Sequence, residues 1–363
     1  MSLFHKDKSS GFLGVDIGGS SIKLVELANN NGRPQLVTYG YVERFLAVGA
    51  KLIDEPDRTA ALIKKVAEQS RATTKRTVTA LPGSAVFSSI ISLPEINKAD
   101  LHSPKKMAAA VEWEAKKVLP MPVAEMILDW KALKPEDQLQ KEGDKIKNLP
   151  LLLTAAAKSV VAKYVEIFKK AGLELISLET ESFALARGLV GRDKSTVLVV
   201  DIGAVNTDIC VVENVLPMLN RSLSVGGLEI TKAFASTLGI SMEQAEQFKR
   251  DLQTNSESSQ GSAALPDLVR RPMQAILDEV QYTINFYLEQ PDNKGKRIER
   301  IILSGGTASL FNLPKYFEDA LGIRTFLGNP WARVIYPEDL QPVLEAVGSR
   351  LATAIGLAMR DIE

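Results

Sequence analysis

The sequence predicts an α/β protein of two domains, or of one domain with insertions. Three observations carry this. Apolar strand-like runs alternate with amphipathic helical runs along most of the chain. At 363 residues the chain exceeds one ordinary compact core. One short hairpin occurs twice, as Asp16-Ile17-Gly18 and Asp201-Ile202-Gly203, each between apolar strands.

The elements follow in order. "FLGVDIGG", "IKLVELAN" and "PQLVTYGYVER" read as an antiparallel meander, and residues 57–70 have helical spacing. Residues 77–94 return to strand around Pro82-Gly83. Residues 103–119 form a helix with Ser103 as N-cap and Pro104 at its first position, stopped by "PMP". The polar stretch 134–148 is a hairpin tip or loop, "LPLLLTAAAK" is a buried strand, and 159–172 is an amphipathic helix ended by Gly172. Residues 179–190 give another helix, and the low-complexity stretch 253–266 is too polar to pack.

Composition removes several classes of function. The 44 basic and 44 acidic residues cancel, so no global field draws nucleic acid or anionic lipid. Cys210 is the single cysteine, which excludes a disulfide framework and a cysteine metal cluster and fits a reducing compartment. The only histidines, His5 and His102, have no neighbouring ligands, which argues against a transition-metal site. The start "MSLFHKDKSS" reads as a loose tail and not as a signal peptide, and no run of about 18 apolar residues lacks a charge. The expected location is the cytoplasm.

The repeated hairpin is the centre of the functional reading. In "GVDIGGSSIKLVEL", Gly18, Gly19, Ser20 and Ser21 expose backbone N–H groups and small donors, a concavity suited to phosphate. Asp16 suits a hydrated Mg²⁺ beside it. A plain hairpin explains one such turn equally well. It does not explain why "VVDIGAVNTDICVV" repeats the aspartate, with Asp201, Gly203, Asn206 and Thr207 in the matching places. Two such hairpins could grip one polyphosphate and one metal from both sides. A third element, Ser304-Gly305-Gly306-Thr307 between a buried strand and a helix, lets a flat ring approach the backbone.

The order and spacing of these elements resemble the actin, heat-shock-70 and sugar-kinase ATPase superfamily. Residues 16–21 match its first phosphate loop, 201–208 its second, and 304–307 its adenosine loop. The helices at 179–190 and 346–360 match its two connecting helices. "TALPGSAVFSSIISLPEI", "VEWEAKKVLPMPVAEMILDW", "DEVQYTINFYLEQ" and "IGLAMR" sharpen this to a resemblance to the PilM family of type IV pilus assembly proteins, relatives of the division protein FtsA.

The resemblance implies an actin-like two-lobed ATPase fold: two ribonuclease H-like domains around a cleft for ATP and Mg²⁺. Lobe 1 would span 1–194, with an FtsA-type subdomain 1C inserted at about 76–156 and the C-terminal helix, about 345–363, returning to it. Lobe 2 would span 195–344, with 2B at about 226–295. Gly226, Gly227, Glu246 and Lys249 fall where the family contacts ribose and adenine. Glu246 and Lys249 stand at i and i+3, and an exposed ion pair is the plain alternative. Lys23 either touches phosphate or is solvated. Glu179 aligns with the position near the γ-phosphate and is the candidate to orient water.

The implied partner is a PilN-like single-pass inner-membrane protein. Its N-terminal cytoplasmic segment would dock at 1C and its junction with 1A. "AVFSSIISLP" and the small residues Ala108, Ala109 and Ala110 supply parts for a groove, although Phe87, Ile90, Trp113 and Val118 equally well close the core of 1C. ATP is expected to act as a conformational ligand with weak hydrolysis. A sugar kinase is the first rival, but it needs an Asn-Asp pair where this chain reads "LETESFALA". A filament-forming cytoskeletal ATPase is the second, and self-association stays open.

Overall fold

The computed structural model describes residues 11–43, 51–134, 138–139, 141–142, 145–254, 267–310 and 312–362. The N-terminal tail with His5, and residues 255–266 of the low-complexity stretch, lie outside them.

The expected meander is β1 (Phe12–Ile17), β2 (Ser21–Asn30) and β3 (Arg33–Glu43), followed by α1 (Pro56–Gln69) and β4 (Arg76–Leu81). Then come β5 (Val86–Asn97), α2 (Lys98–Leu101), α3 (Pro104–Ala115), β6 (Met126–Ala132), β7 (Lys141–Glu142) and β8 (Lys145–Ala157). Next are α4 (Lys158–Ala171), β9 (Glu174–Thr180) and α5 (Glu181–Leu185), which runs into a π-helical turn over Ala186–Val190. The rest is β10 (Val197–Ile202), β11 (Thr207–Glu213), β12 (Leu216–Leu223), α6 (Gly227–Leu238), α7 (Met242–Thr254), α8 (Asp267–Glu289), β13 (Arg300–Ser304), α9 (Leu313–Leu321), β14 (Thr325–Leu327) and α10 (Gln341–Ala358).

The chain forms two compact units, residues 83–165 and the remainder. The larger unit holds two five-stranded sheets, ordered β3-β2-β1-β4-β9 and β12-β11-β10-β13-β14. In each, three antiparallel strands are followed by two parallel ones. The repeat seen as two hairpins is therefore a repeat of two whole sheets. Helix α10 explains its own composition: Leu351–Met359 is buried all round. One side packs on Val25 and Leu27 of the first sheet, and Ala352 joins the cluster of Val197, Val199, Cys210 and Ile302 in the second. The opposite face of the second sheet is closed by α6, α8 and α9 through Phe234, Val280, Tyr287 and Phe317.

The smaller unit is an antiparallel sheet, β5-β8-β6 with β7 on β8. Met107, Val111 and Ala115 of α3 pack on Ile91, Leu93, Leu149, Leu151 and Leu153. Three expectations change here. The inserted unit begins at Gly83, because Arg76–Leu81 is an inner strand of the first sheet, bonded to β1 and β9. Helix α3 stops at Ala115, four residues early, as the N–H groups of Lys117 and Val118 turn to i−3 carbonyls ahead of Pro120. Of the four residues expected to close this core, only Phe87 packs against it; Ile90, Trp113 and Val118 are exposed, Trp113 by 67%.

Candidate functional site

The two hairpins are built alike down to the turn. Gly18 N–H donates to the Ser21 carbonyl at 2.9 Å, and Gly203 N–H donates to the Asn206 carbonyl at 2.9 Å. Each turn sits at the end of an inner strand, where Asp16 and Asp201 are the penultimate residues. The tips face each other: a Cβ placed on Gly19 would stand 2.9 Å from Cγ2 of Val205. Gly18, Ser20, Gly203 and Asn206 are half-buried and Gly19 is exposed, so the turns are open to a ligand; Ser21 is buried.

Between the turns lies a charge cluster. The Lys23 ammonium donates to Asp16 Oδ2 at 2.8 Å. Burial alone would lower the lysine's pKa, but Asp16, with Asp201 and Glu181 behind it, outweighs this and raises it. Lys23 is thus committed to the carboxylates and is not a solvated side chain. Asp201 is pushed up to about 6, first by loss of water around it and also by Asp16, against the pull of Lys23 and a hydrogen bond from Ser304. Asp208 is pushed up to about 7 by the same loss of water and by Asp201 and Asp16. Glu181, at the start of α5, is raised well above the usual carboxylate range by burial and then by Asp208, Asp16 and Asp201. Among the described residues, Asp208 Oδ1 is buried without a hydrogen-bond partner. The Lys23 ammonium thus serves Asp16, Asp201 and Glu181, while Asp208 stands beside Asp201 and Asp16.

A second wall is assembled from the third sequence element. Gly305 has φ +90° and its position is crowded by the Ile202 carbonyl, so only glycine fits the turn after β13. Thr307 Oγ1 donates to the Gly203 carbonyl at 3.2 Å, tying this turn to the second hairpin. Gly226 and Gly227 open α6 against the same hairpin, with Gly227 N–H on the Gly203 carbonyl at 3.0 Å. A Cβ on Gly227 would meet Thr307 Oγ1 at 2.4 Å and Lys249 Nζ at 3.2 Å. Lys249 is buried, donating to Glu246 Oε2 at 2.6 Å, Thr231 Oγ1 at 2.9 Å and the Gly227 carbonyl at 3.1 Å. The exposed-pair alternative for Glu246 and Lys249 is therefore excluded. Burial lowers the Lys249 pKa; it also opposes ionisation of Glu246, but Lys249 and Thr231 bring that carboxyl below its usual value.

Two expected residues take other places. Glu179 belongs to β9, not to a helix, and its carboxylate is held by Arg187 at 2.8 Å and by Arg360. Arg187 in turn donates to the Gly356 carbonyl of α10 at 2.6 Å. Glu179 therefore ties strand to helix, and Glu181 is the carboxylate that faces the aspartates. The signal was local: Thr180 is the N-cap, its hydroxyl accepting from Phe183 N–H, which makes Glu181 the first helical residue. Thr207 is fully buried and donates to the Val225 carbonyl at 2.7 Å, so it fixes the turn and offers nothing to a ligand. Asp208 carried no expected role, although its place seven residues after Asp201 puts it directly across the hairpin.

Twin sheets of this order, with facing hairpins and a buried connecting helix, define an actin-like two-lobed ATPase fold. Comparison narrows the class: residues 14–362 match the family model for the type IV pilus assembly protein PilM, and the chain belongs to that family. It is similar to a chain of a solved PilM-PilN type IV pilus biogenesis complex, 28% identical over 98% of this chain and 99% of that one, with a TM-score of 0.81. The fold is shared with MreB 5 of Spiroplasma citri bound to AMPPNP (14% identity, 96% and 95% covered, TM-score 0.55). It is shared also with a MamK double helical filament (12%, 97% and 98%, TM-score 0.52). Among the described residues no helix is long and apolar enough to cross a membrane.

Proposed function

We propose that this chain is the cytoplasmic ATP-binding component of a type IV pilus assembly platform, held at the inner membrane by a PilN-like single-pass protein. The observation that carries the nucleotide reading is the pair of hairpins with one turn geometry and facing aspartates. Gly19, Ser20 and Asn206 would take phosphate oxygens, presented by turns that Gly18 and Gly203 close, and Gly305, Gly306, Gly227, Glu246 and Lys249 would hold the nucleoside. Asp16 and Asp201 fit a hydrated Mg²⁺: the donors are all oxygen, the cluster is short of positive charge, and an orphaned carboxylate oxygen lies beside it. Among the described residues no three acidic or nitrogen ligands converge on one point, so the ion would be held through its waters. Bound there, Mg²⁺ supplies charge neutralisation for the polyphosphate.

Glu181 is the residue placed to orient water. Burial, and then Asp208, Asp16 and Asp201, raise its pKa and so oppose its ionised, proton-accepting form, which slows hydrolysis. ATP then acts mainly as a ligand that favours closure of the two lobes.

For the partner, the unit 83–165 offers open strand edges, because among the described residues β5 and β6 each pair only with β8. Ile90 stands exposed on β5. The unit also has a cavity of about 470 Å³ lined by Leu101, Met107, Trp130, Leu139 and Leu151. An extended peptide pairs with such an edge and seats alternate side chains. A labelled N-terminal peptide of the PilN-like protein should bind with micromolar or better affinity. Ile90→Lys should weaken it about 10-fold while leaving the Mg-ATP thermal shift intact. No binding at roughly millimolar protein, a range that still detects about 4 kcal/mol, would contradict the docking.

A further inference from the structure

Five charges of alternating sign run from one lobe to the other along the nucleoside side of the cleft. Arg350 of α10 donates to Glu43 Oε1 at 3.0 Å. Glu43, the last residue of β3, also accepts from Arg250 of α7. Arg250 Nε stands 3.5 Å from Glu246 Oε1, and Glu246 Oε2 accepts from Lys249 at 2.6 Å. One end of this chain lies against the Gly305-Gly306 turn, where Arg350 Cγ would be 3.5 Å from a Cβ on Gly306. The other end is the Gly227 carbonyl, an acceptor from Lys249.

We propose that Glu43 is a latch residue that controls nucleotide release, an inference that rests on the nucleotide reading above. Its carboxylate is the one link in the chain that belongs to the first sheet, and it bridges an arginine of α7 in the second lobe to an arginine of α10. With the nucleoside seated beside Gly306 and Gly227 in the second lobe, the Glu43–Arg250 link joins that lobe to the first sheet and must part when the lobes separate. The alternation sets the sign of the effect. While Glu43 is ionised it screens Arg250 from Arg350; with its charge removed, two guanidinium groups face each other across the cleft and favour opening. The side chains are partly solvated, with relative exposures of 31% for Glu43, 37% for Arg250 and 22% for Arg350. The latch therefore tunes an off-rate and does not seal the site. Glu43 is a positioning residue: it acts through Arg250 and Arg350 and touches no phosphate.

Stopped-flow release of a fluorescent mant-ATP, chased by excess ATP in the presence of Mg²⁺, tests this. Glu43→Gln should release nucleotide about 3- to 10-fold faster, and Glu43→Asp should fall between it and the unsubstituted protein. The melting temperature without nucleotide should be unchanged in both variants, which a merely structural role would not allow. Raising the salt from about 0.05 to about 0.5 M should speed release from the unsubstituted protein and leave Glu43→Gln almost unaffected. Release from Glu43→Gln at the unsubstituted rate, or an equal salt response in both, overturns the latch. If the unsubstituted protein takes up no mant-ATP, the nucleotide reading fails and the latch with it, and that trace alone separates the two failures.

Discussion

The two hairpins share strand order, turn hydrogen bond and aspartate, and differ in the residue that stands across from that aspartate. In the first, Asp16 pairs in register with Lys23; in the second, Asp201 pairs with Asp208. The first hairpin is thus neutral by itself. The second carries two carboxylates, both pushed above their ordinary range, and borrows part of the same lysine. The difference shows how a duplicated element divides a task. One copy is a finished ion pair that holds its shape without a ligand. The other is short of positive charge, and a cation or protons must make it good.

The largest expected effect comes from removing the aspartate of the self-neutral hairpin. Asp16→Ala leaves a largely buried lysine among carboxylates with its closest partner gone, and should cost about 3 kcal/mol of stability. The matching change in the other hairpin, Asp208→Asn, should be neutral or stabilising at pH 8. The sign follows from linkage. Asp208 ionises at about 7 in the folded protein against 3.8 ordinarily, so the folded state holds a proton that the unfolded chain has lost. Stability should fall as pH rises from about 4 to about 7, with Asp201 contributing the same sign up to about 6. Thermal melts without nucleotide between pH 5 and 8 should show this decline, and Asp208→Asn should flatten it. Melts that rise across the window, or a decline unchanged in the variant, would break the comparison.

A smaller effect separates the two glutamates beside the hairpins. Glu181→Gln should lower the slow ATP turnover about 10- to 100-fold with nucleotide affinity retained. Glu179→Gln should leave turnover per folded molecule unchanged and cost about 1–3 kcal/mol of stability, because Arg187 and Arg360 lose their shared partner. Steady-state turnover beside denaturant unfolding distinguishes them, and the opposite pattern would restore the water-orienting role to Glu179.

Much of this was legible in the sequence because the information is local. Asp-Ile-Gly between apolar runs gave both hairpins, and the family resemblance placed the second connecting helix at 346–360, where α10 runs. The misreadings arise where a partner comes from far along the chain. Arg76–Leu81 looks like any apolar strand, and only its pairing with β1 and β9 makes it part of the first sheet. Glu246 and Lys249 look like a surface pair, and Thr231 and Gly227, from α6, show them to be buried. Glu179 and Glu181 differ by two positions, and the arginine 181 residues further on claims the first. Trp113 and Ile90 have core chemistry and surface positions, which hydrophobicity alone does not separate.

In the proposed site the charge-poor second hairpin joins the first in holding metal and nucleotide. Calorimetric titration of ATP with and without Mg²⁺, into the unsubstituted protein and into Asp201→Asn, measures it directly. Mg²⁺ should tighten ATP binding to the unsubstituted protein by at least about 10-fold, worth about 1.4 kcal/mol, and Asp201→Asn should lose most of that gain while remaining folded. An equal Mg²⁺ effect in both proteins would rule out a metal role for the second hairpin.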